Sequence, residues 1–194
     1  MTDALRARAV AEIEASIEAK QKILADDALL QSISNVAAIC IEAFKNGNKV
    51  LLAGNGGSAA DAQHIAAEFV CRYDMERKPL PSMALTTDSS IMTAISNDFG
   101  YEEIFSRQLQ ANGVAGDVFI GISTSGGSPN IVKAIQACKA LGIKAVSMTG
   151  ATGAVVNDSD YSICIPSSYT PRIQESHILV GHILCKLVED SLFD

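Results

Sequence analysis

Two glycine- and hydroxyl-rich loops constrain this chain more than any other feature: Gly54-Asn55-Gly56-Gly57-Ser58 and Ser123-Thr124-Ser125-Gly126-Gly127-Ser128. Each follows a short apolar run and opens a helix-like stretch, which is how a parallel sheet hands its chain to a helix. Glycine lets the backbone come close to an anion, and the amides at a helix start carry the positive end of the helix dipole. A phosphate can therefore be held there without a basic side chain. The pattern predicts an anion cradle, with a phosphorylated small molecule as its occupant.

From Lys49 onward, short apolar runs of β type alternate with helical patterns. The runs are Val50 to Ala53, Ser82 to Thr86, Val118 to Ile122, Ala145 to Met148 and Tyr161 to Ile165. Helical periodicity covers Ala59 to Cys71, Ser89 to Ser96, Tyr101 to Asn112, Pro129 to Leu141 and Arg172 to Leu192. This alternation predicts an α/β fold, a doubly wound five-stranded parallel sheet of flavodoxin-like type. Ligands bind beyond the carboxyl ends of such strands, where both loops fall, so the loops are expected to face one pocket.

Before the first strand, Leu5, Ala9, Ile13 and Ile17 recur at steps of four, and Leu29, Ile33, Val36, Cys40 and Phe44 at three or four. They predict an N-terminal helical pair, with Asp26 or Asp27 as a cap and Gly47 as a stop. Its apolar face needs a cover, either a second subunit or the chain's own domain. Residues 1–47 are read as this hairpin and 48–194 as the α/β core of one domain, since 194 residues suffice for one sizeable core.

A formal charge of −7, with the basic residues scattered, argues against nucleic acid as the main partner. The N-terminus mixes Asp3, Arg6, Arg8 and Glu12 with small residues and lacks a signal-peptide core. No apolar run is long enough to span a bilayer, so no membrane partner is expected and the cytoplasm is the expected location. Five cysteines without a C-x-x-C pair read as reduced thiols, most of them in apolar stretches.

Few residues offer chemistry. His64 lies on the helix leaving the first loop, with Glu68 one turn further on the same face. The spacing suits metal ligation, but alone it more often marks a hydrogen bond along a helix. Gln174 and His182 stand two turns apart on the last helix, where they can face one cavity, although the apolar neighbours of His182 also suit an ordinary half-buried histidine. His177 points away from His182 and reads as a surface or interface residue. Gly54-x-Gly56-x-x-Ala59 loosely fits a dinucleotide fingerprint. Asp74 and Glu76 have the spacing of its acidic partner, about 20 residues on, but fall in a charged loop, and Asp88 comes too late.

Five ordered segments bear a family resemblance: Gly54 to Ala59, Asp61 to Glu68, Ala94 to Gly100, Ser123 to Gly126 and Arg172 to His182. They closely resemble the bacterial phosphoheptose isomerases, a family of sugar isomerase (SIS) domain proteins, and the likeness covers essentially the whole chain. The resemblance implies interconversion of sedoheptulose 7-phosphate and D-glycero-D-manno-heptose 7-phosphate, the first step toward ADP- or GDP-activated heptose. It also implies a homotetramer with sites between subunits and one zinc ion per subunit on His64, Glu68, Gln174 and His182. Substrate contacts are implied for Asn55, Gly56, Gly57, Ser58, Glu68, Asn97, Asp98, Ser123, Thr124, Ser125, Ser128 and Gln174, and catalysis for Glu68 and His182. One position departs: Gly127 stands where many members carry Asn.

Such an isomerisation moves a proton between adjacent carbons through an enediolate. In this reading Glu68 takes the proton from C1 of the ketose and returns it to C2, while His182 moves protons among the oxygens. Without a thiolate, the ligand set leaves zinc and other divalent ions open. The alternatives from other classes are a catalytically silent SIS scaffold associated with replication initiation and a nicotinamide oxidoreductase. Such a scaffold lacks the acidic residue of the first helix and the final histidine, and this chain has both.

Overall fold

A computed structural model describes residues 2–194, apart from the side chains at 154 and 156. The N-terminal pair is α1 (Thr2–Leu24) and α2 (Asp27–Lys45). Asp26 caps α2 by accepting from the Leu29 amide, and Gly47, at positive φ, turns the chain out of it. After the pair come β1 (Val50–Gly54), α3 (Gly57–Val70), β2 (Ser82–Ala84), α4 (Ser89–Phe99) and α5 (Ile104–Asn112). The second half runs β3 (Val118–Ile122), α6 (Pro129–Leu141), β4 (Lys144–Thr149), β5 (Tyr161–Cys164) and α7 (Thr170–Phe193).

The sheet is wholly parallel in the order β2-β1-β3-β4-β5. β1 and β3 are neighbours although their outgoing connections run in opposite directions, which opens a crevice where these strands end. Gly54 and Ile122 are register partners, so both glycine-rich loops leave the sheet side by side at one level. β1 and β3 are buried at every position, as strands covered on both faces must be. Two apolar layers cover the sheet. One joins α2, α3 and α7 through Val36, Cys40, Ile65, Phe69, Val180 and Leu184; the other joins α5 and α6 through Phe105, Leu109, Ile131 and Ile135.

Three sequence expectations need amendment. β2 ends at Ala84 rather than Thr86: Leu85 still donates to the Leu52 carbonyl, but the chain then turns into α4. α2 does have the length and hydropathy to cross a membrane. Its buried residues nevertheless pack into the core, and no other described helix meets that measure. His177 is fully buried rather than at a surface or interface, because α7 is covered toward the sheet, where its ring meets Thr149 of β4, as well as toward α3. On α1, by contrast, only Ala19 and Ile23 are buried, while Leu5, Ile13, Ile17 and Leu24 are exposed. Among the cysteines, Cys40, Cys138 and Cys185 are core thiols, and burial pushes the first two up to about 12.

Candidate active site

The first loop turns at Gly56, at φ +55°, and opens α3 without a side-chain cap, leaving that helix start to its backbone. Asn55 is fixed by a reciprocal amide pair: its Nδ2 donates to Asn130 Oδ1 at 2.9 Å, and Asn130 Nδ2 donates back to Asn55 Oδ1 at 2.8 Å. The Tyr101 hydroxyl also donates to Asn55 Oδ1. Neither Asn130 nor Tyr101 was singled out from the sequence. The Asn-Asn pair ties the first loop to the start of α6, and Asn55, Tyr101, Ser128 and Asn130 line a cavity of about 210 Å³. The two loops thus share a wall.

In the second loop, Ser123 is buried and its Oγ lies 2.9 Å from Ser128 Oγ. Ser125 Oγ accepts from the Gly127 amide, and Gly126 turns the chain at φ +63°. Thr124 and Ser125 line a second hollow, about 300 Å³, with Thr152, Ser167, Ser168 and Thr170 at the ends of β4 and β5. A larger hollow of about 380 Å³, around Lys139, Lys144, Asp158 and Asp160, lies at the amino end of β4. It is at the opposite end of the strands from the loops and cannot share a ligand with them.

The residues with acid-base and ligating capacity come from α3 and α7. His64 Nε2 lies 3.1 Å from Glu68 Oε1 and 3.4 Å from His182 Nε2. One donor atom from each of the three residues falls within 4.8 Å of the others. Close helix packing makes this possible: a Cβ at Gly181 would come within 2.5 Å of Ile65 Cδ1, so glycine beside His182 lets α7 lie against α3. His64 and His182 are 118 positions apart in sequence, and nothing in the local pattern at Gly181 signals the contact. One proton on His64 Nε2 can serve only one of its two neighbours. Lone pairs are left facing one another, an arrangement a divalent cation satisfies, and imidazole with carboxylate suits zinc among other ions.

Gln174, two turns before His182, lies against the first loop: its Nε2 is 2.7 Å from where a Cβ on Gly57 would stand. Ser58 is buried in the first turn of α3. Asn97 and Asp98, at the end of α4, are exposed, and Asn97 Nδ2 donates to Asp98 Oδ1 rather than to either loop. His177 stands apart from the cluster: its Nε2 lies 3.1 Å from the Thr149 carbonyl, and its Nδ1 is buried with no partner among the described residues. Burial holds its pKa down at about 4, against a smaller opposing effect of that carbonyl.

A parallel sheet with two glycine- and hydroxyl-rich loops at its switch point, and an imidazole-carboxylate cluster on α3 and α7, is the arrangement expected of the sugar isomerase class. Residues 7–150 match the SIS domain family. The phosphoheptose isomerase of Aneurinibacillus thermoaerophilus is 63% identical over 93% of this chain and 92% of its own length. Phosphoheptose isomerase 2 of Campylobacter jejuni is 59% identical over 92% and 89%. The solved phosphoheptose isomerase GmhA of Neisseria gonorrhoeae superposes with a TM-score of 0.88 at 40% identity, covering 96% of this chain and 99% of that one. The chain belongs to the phosphoheptose isomerase family.

Proposed function

We infer that this protein is an aldose-ketose isomerase that interconverts sedoheptulose 7-phosphate and D-glycero-D-manno-heptose 7-phosphate in the cytoplasm. The observation that carries the reading is the convergence of Glu68, His64 and His182 beside two loops built to hold an anion. The amides and hydroxyls of Asn55 to Ser58 and Ser123 to Ser128 hold the phosphate and fix the sugar, with Asn97, Asp98 and Gln174 reaching its hydroxyls. Glu68 removes the proton from C1 of the ketose and delivers it to C2. Its Oε1 faces His64, while its Oε2 makes no hydrogen bond among the described residues and is the oxygen for proton transfer. His182 exchanges protons with the sugar oxygens as the carbonyl moves from C2 to C1.

His64, Glu68, Gln174 and His182 would hold one zinc ion per subunit, which when bound supplies charge stabilisation for the developing enediolate oxygens. The half-exposed His64 and the bare apolar face of α1 support a homotetramer with its sites between subunits. Incubation with sedoheptulose 7-phosphate, followed by sugar analysis, tests the reading. Conversion to the aldose is expected, with loss on chelation and return on adding Zn2+. A protein that leaves the ketose unchanged with Zn2+ present overturns it.

A further inference from the structure

His182 lacks the usual support of a working histidine. Such a ring commonly donates from its second nitrogen to a carboxylate or carbonyl, which sets its angle. Among the described residues, His182 Nδ1 has no hydrogen-bond partner. Its ring is held by two aromatic contacts, with His64 edge-on at 5.1 Å and Tyr73 tilted by 38° at 5.7 Å. Both separations lie in the range where ring pairs attract.

Tyr73 belongs to the segment between α3 and β2, which has no ladder of its own. A buried charge pair fixes it instead. Glu189, fully buried on α7, accepts from the amides of Tyr73, Asp74 and Met75 at 3.0, 2.7 and 2.8 Å, and from Arg77 Nε at 2.5 Å. Arg77 in turn donates to the carbonyls of Glu68 and Phe69, which end α3 without helix partners. Glu189 lies seven residues after His182, two turns along the same rigid helix. One ion pair therefore joins the turn bearing Glu68, the segment bearing Tyr73 and the helix bearing His182.

We propose that Tyr73 is a positioning residue for His182, and that the Arg77–Glu189 pair is the clamp that holds Tyr73 against it. The ring does this work, not the hydroxyl, which has no hydrogen-bond partner among the described residues.

The turnover arm of the test rests on the isomerase reading; the spectroscopic arm does not. Tyr73→Ala lowers kcat at least about tenfold with KM within about threefold, as expected when a reacting group is misplaced but the substrate site is intact. Tyr73→Phe stays within about twofold of the parent in both. Glu189→Gln lowers kcat about tenfold alone but less than about threefold in the Tyr73→Ala background, because both changes act through one contact. The chain has three histidines, so NMR of the imidazole nitrogens resolves His182 without substrate. Its signal is single and narrow in the parent and Tyr73→Phe, and broadened or doubled in Tyr73→Ala. Should Tyr73→Ala not fold, Tyr73→Leu replaces it with the same expectations.

An unchanged His182 line shape in the ring-less variant overturns the proposal, as does Tyr73→Phe falling as far as Tyr73→Ala, or full additivity with Glu189→Gln. A parent that turns over no sedoheptulose 7-phosphate but shows the expected line shapes removes the isomerase reading and leaves the positioning role standing.

Discussion

The loop after β1 and the loop after β3 begin alike. They leave register-paired strand ends, turn at a glycine with positive φ and enter helices that have no side-chain cap. The helices that follow diverge. α3 carries His64 and Glu68 onto the face where α7 supplies His182, whereas α6 buries Asn130, Ile131, Ala134 and Ile135, and its Lys133 pairs with Glu103. The loop shape is thus largely a property of backbone and turn, and is used twice. Chemistry needs side chains one or two turns further on, and a second helix close enough to meet them.

This contrast is most exposed to a paired substitution. Glu68→Gln keeps the shape of α3 and removes the proposed base, so kcat is expected to fall by about 10³-fold or more while phosphate binding is nearly kept. Ser128→Ala removes a hydroxyl at the opening of α6, raising KM about tenfold, near the ~1.5 kcal/mol of one hydrogen bond to a charged group, with kcat close to the parent's. Steady-state kinetics on both variants check the division. If Glu68→Gln retains activity within tenfold, or Ser128→Ala loses kcat in proportion, the two loops do not divide the work in this way.

The second region also has a weakness that the first lacks. Thr124 accepts from the Gly150 amide, so the second loop rests on the end of β4, and His177 sits beneath that end, against the Thr149 carbonyl. Burial keeps His177 neutral to about pH 4, whereas in the unfolded chain it titrates near 6.5. Between these values the unfolded chain binds more protons, so stability is full above about pH 6.5 and declines as pH falls through that window. The total is about 3 kcal/mol. Melting curves of the parent from pH 7 to pH 4 should fall more steeply than those of His177→Gln, which keeps a donor for Thr149 without the titration. Parallel declines would show that the buried imidazole does not set the acid limit.

What the sequence disclosed follows the same division. The loops were legible because only glycine and small hydroxyl residues make such turns, and the strands of the sheet centre because full burial leaves unbroken apolar runs, as in Val118–Ile122. His64 and Glu68 were legible as a pair because one helix turn links them. Their meeting with His182 depends on how closely two helices approach at Gly181 and Ile65, which no local pattern encodes; only the family resemblance pointed to it. Arg77 and Glu189 are not legible, because charged residues in a loop and near a chain end read as solvated, yet their side chains are almost fully buried. For His177 the direction away from His182 was right. The expectation of a surface or interface position there fails because the sheet occupies that side.

The smallest expected effect concerns Gly127, where the family resemblance leads one to expect Asn. A Cβ on Gly127 would meet only Ser125 Oγ, at 3.9 Å, and the backbone there is not in the left-handed region. Position 127 is exposed, and its amide donates to Ser125 Oγ whichever side chain it carries. Gly127→Asn should therefore fold with a melting temperature close to the parent's. It adds one amide group near the hydroxyls of Ser125 and Ser128 without disturbing the helix start that follows. We expect kcat unchanged and KM lowered by no more than about threefold, the worth of a weak, solvent-competed hydrogen bond. A larger gain would mean that the second loop relies on side-chain donors more than on its backbone, and the likeness between the two cradles would then be one of shape alone.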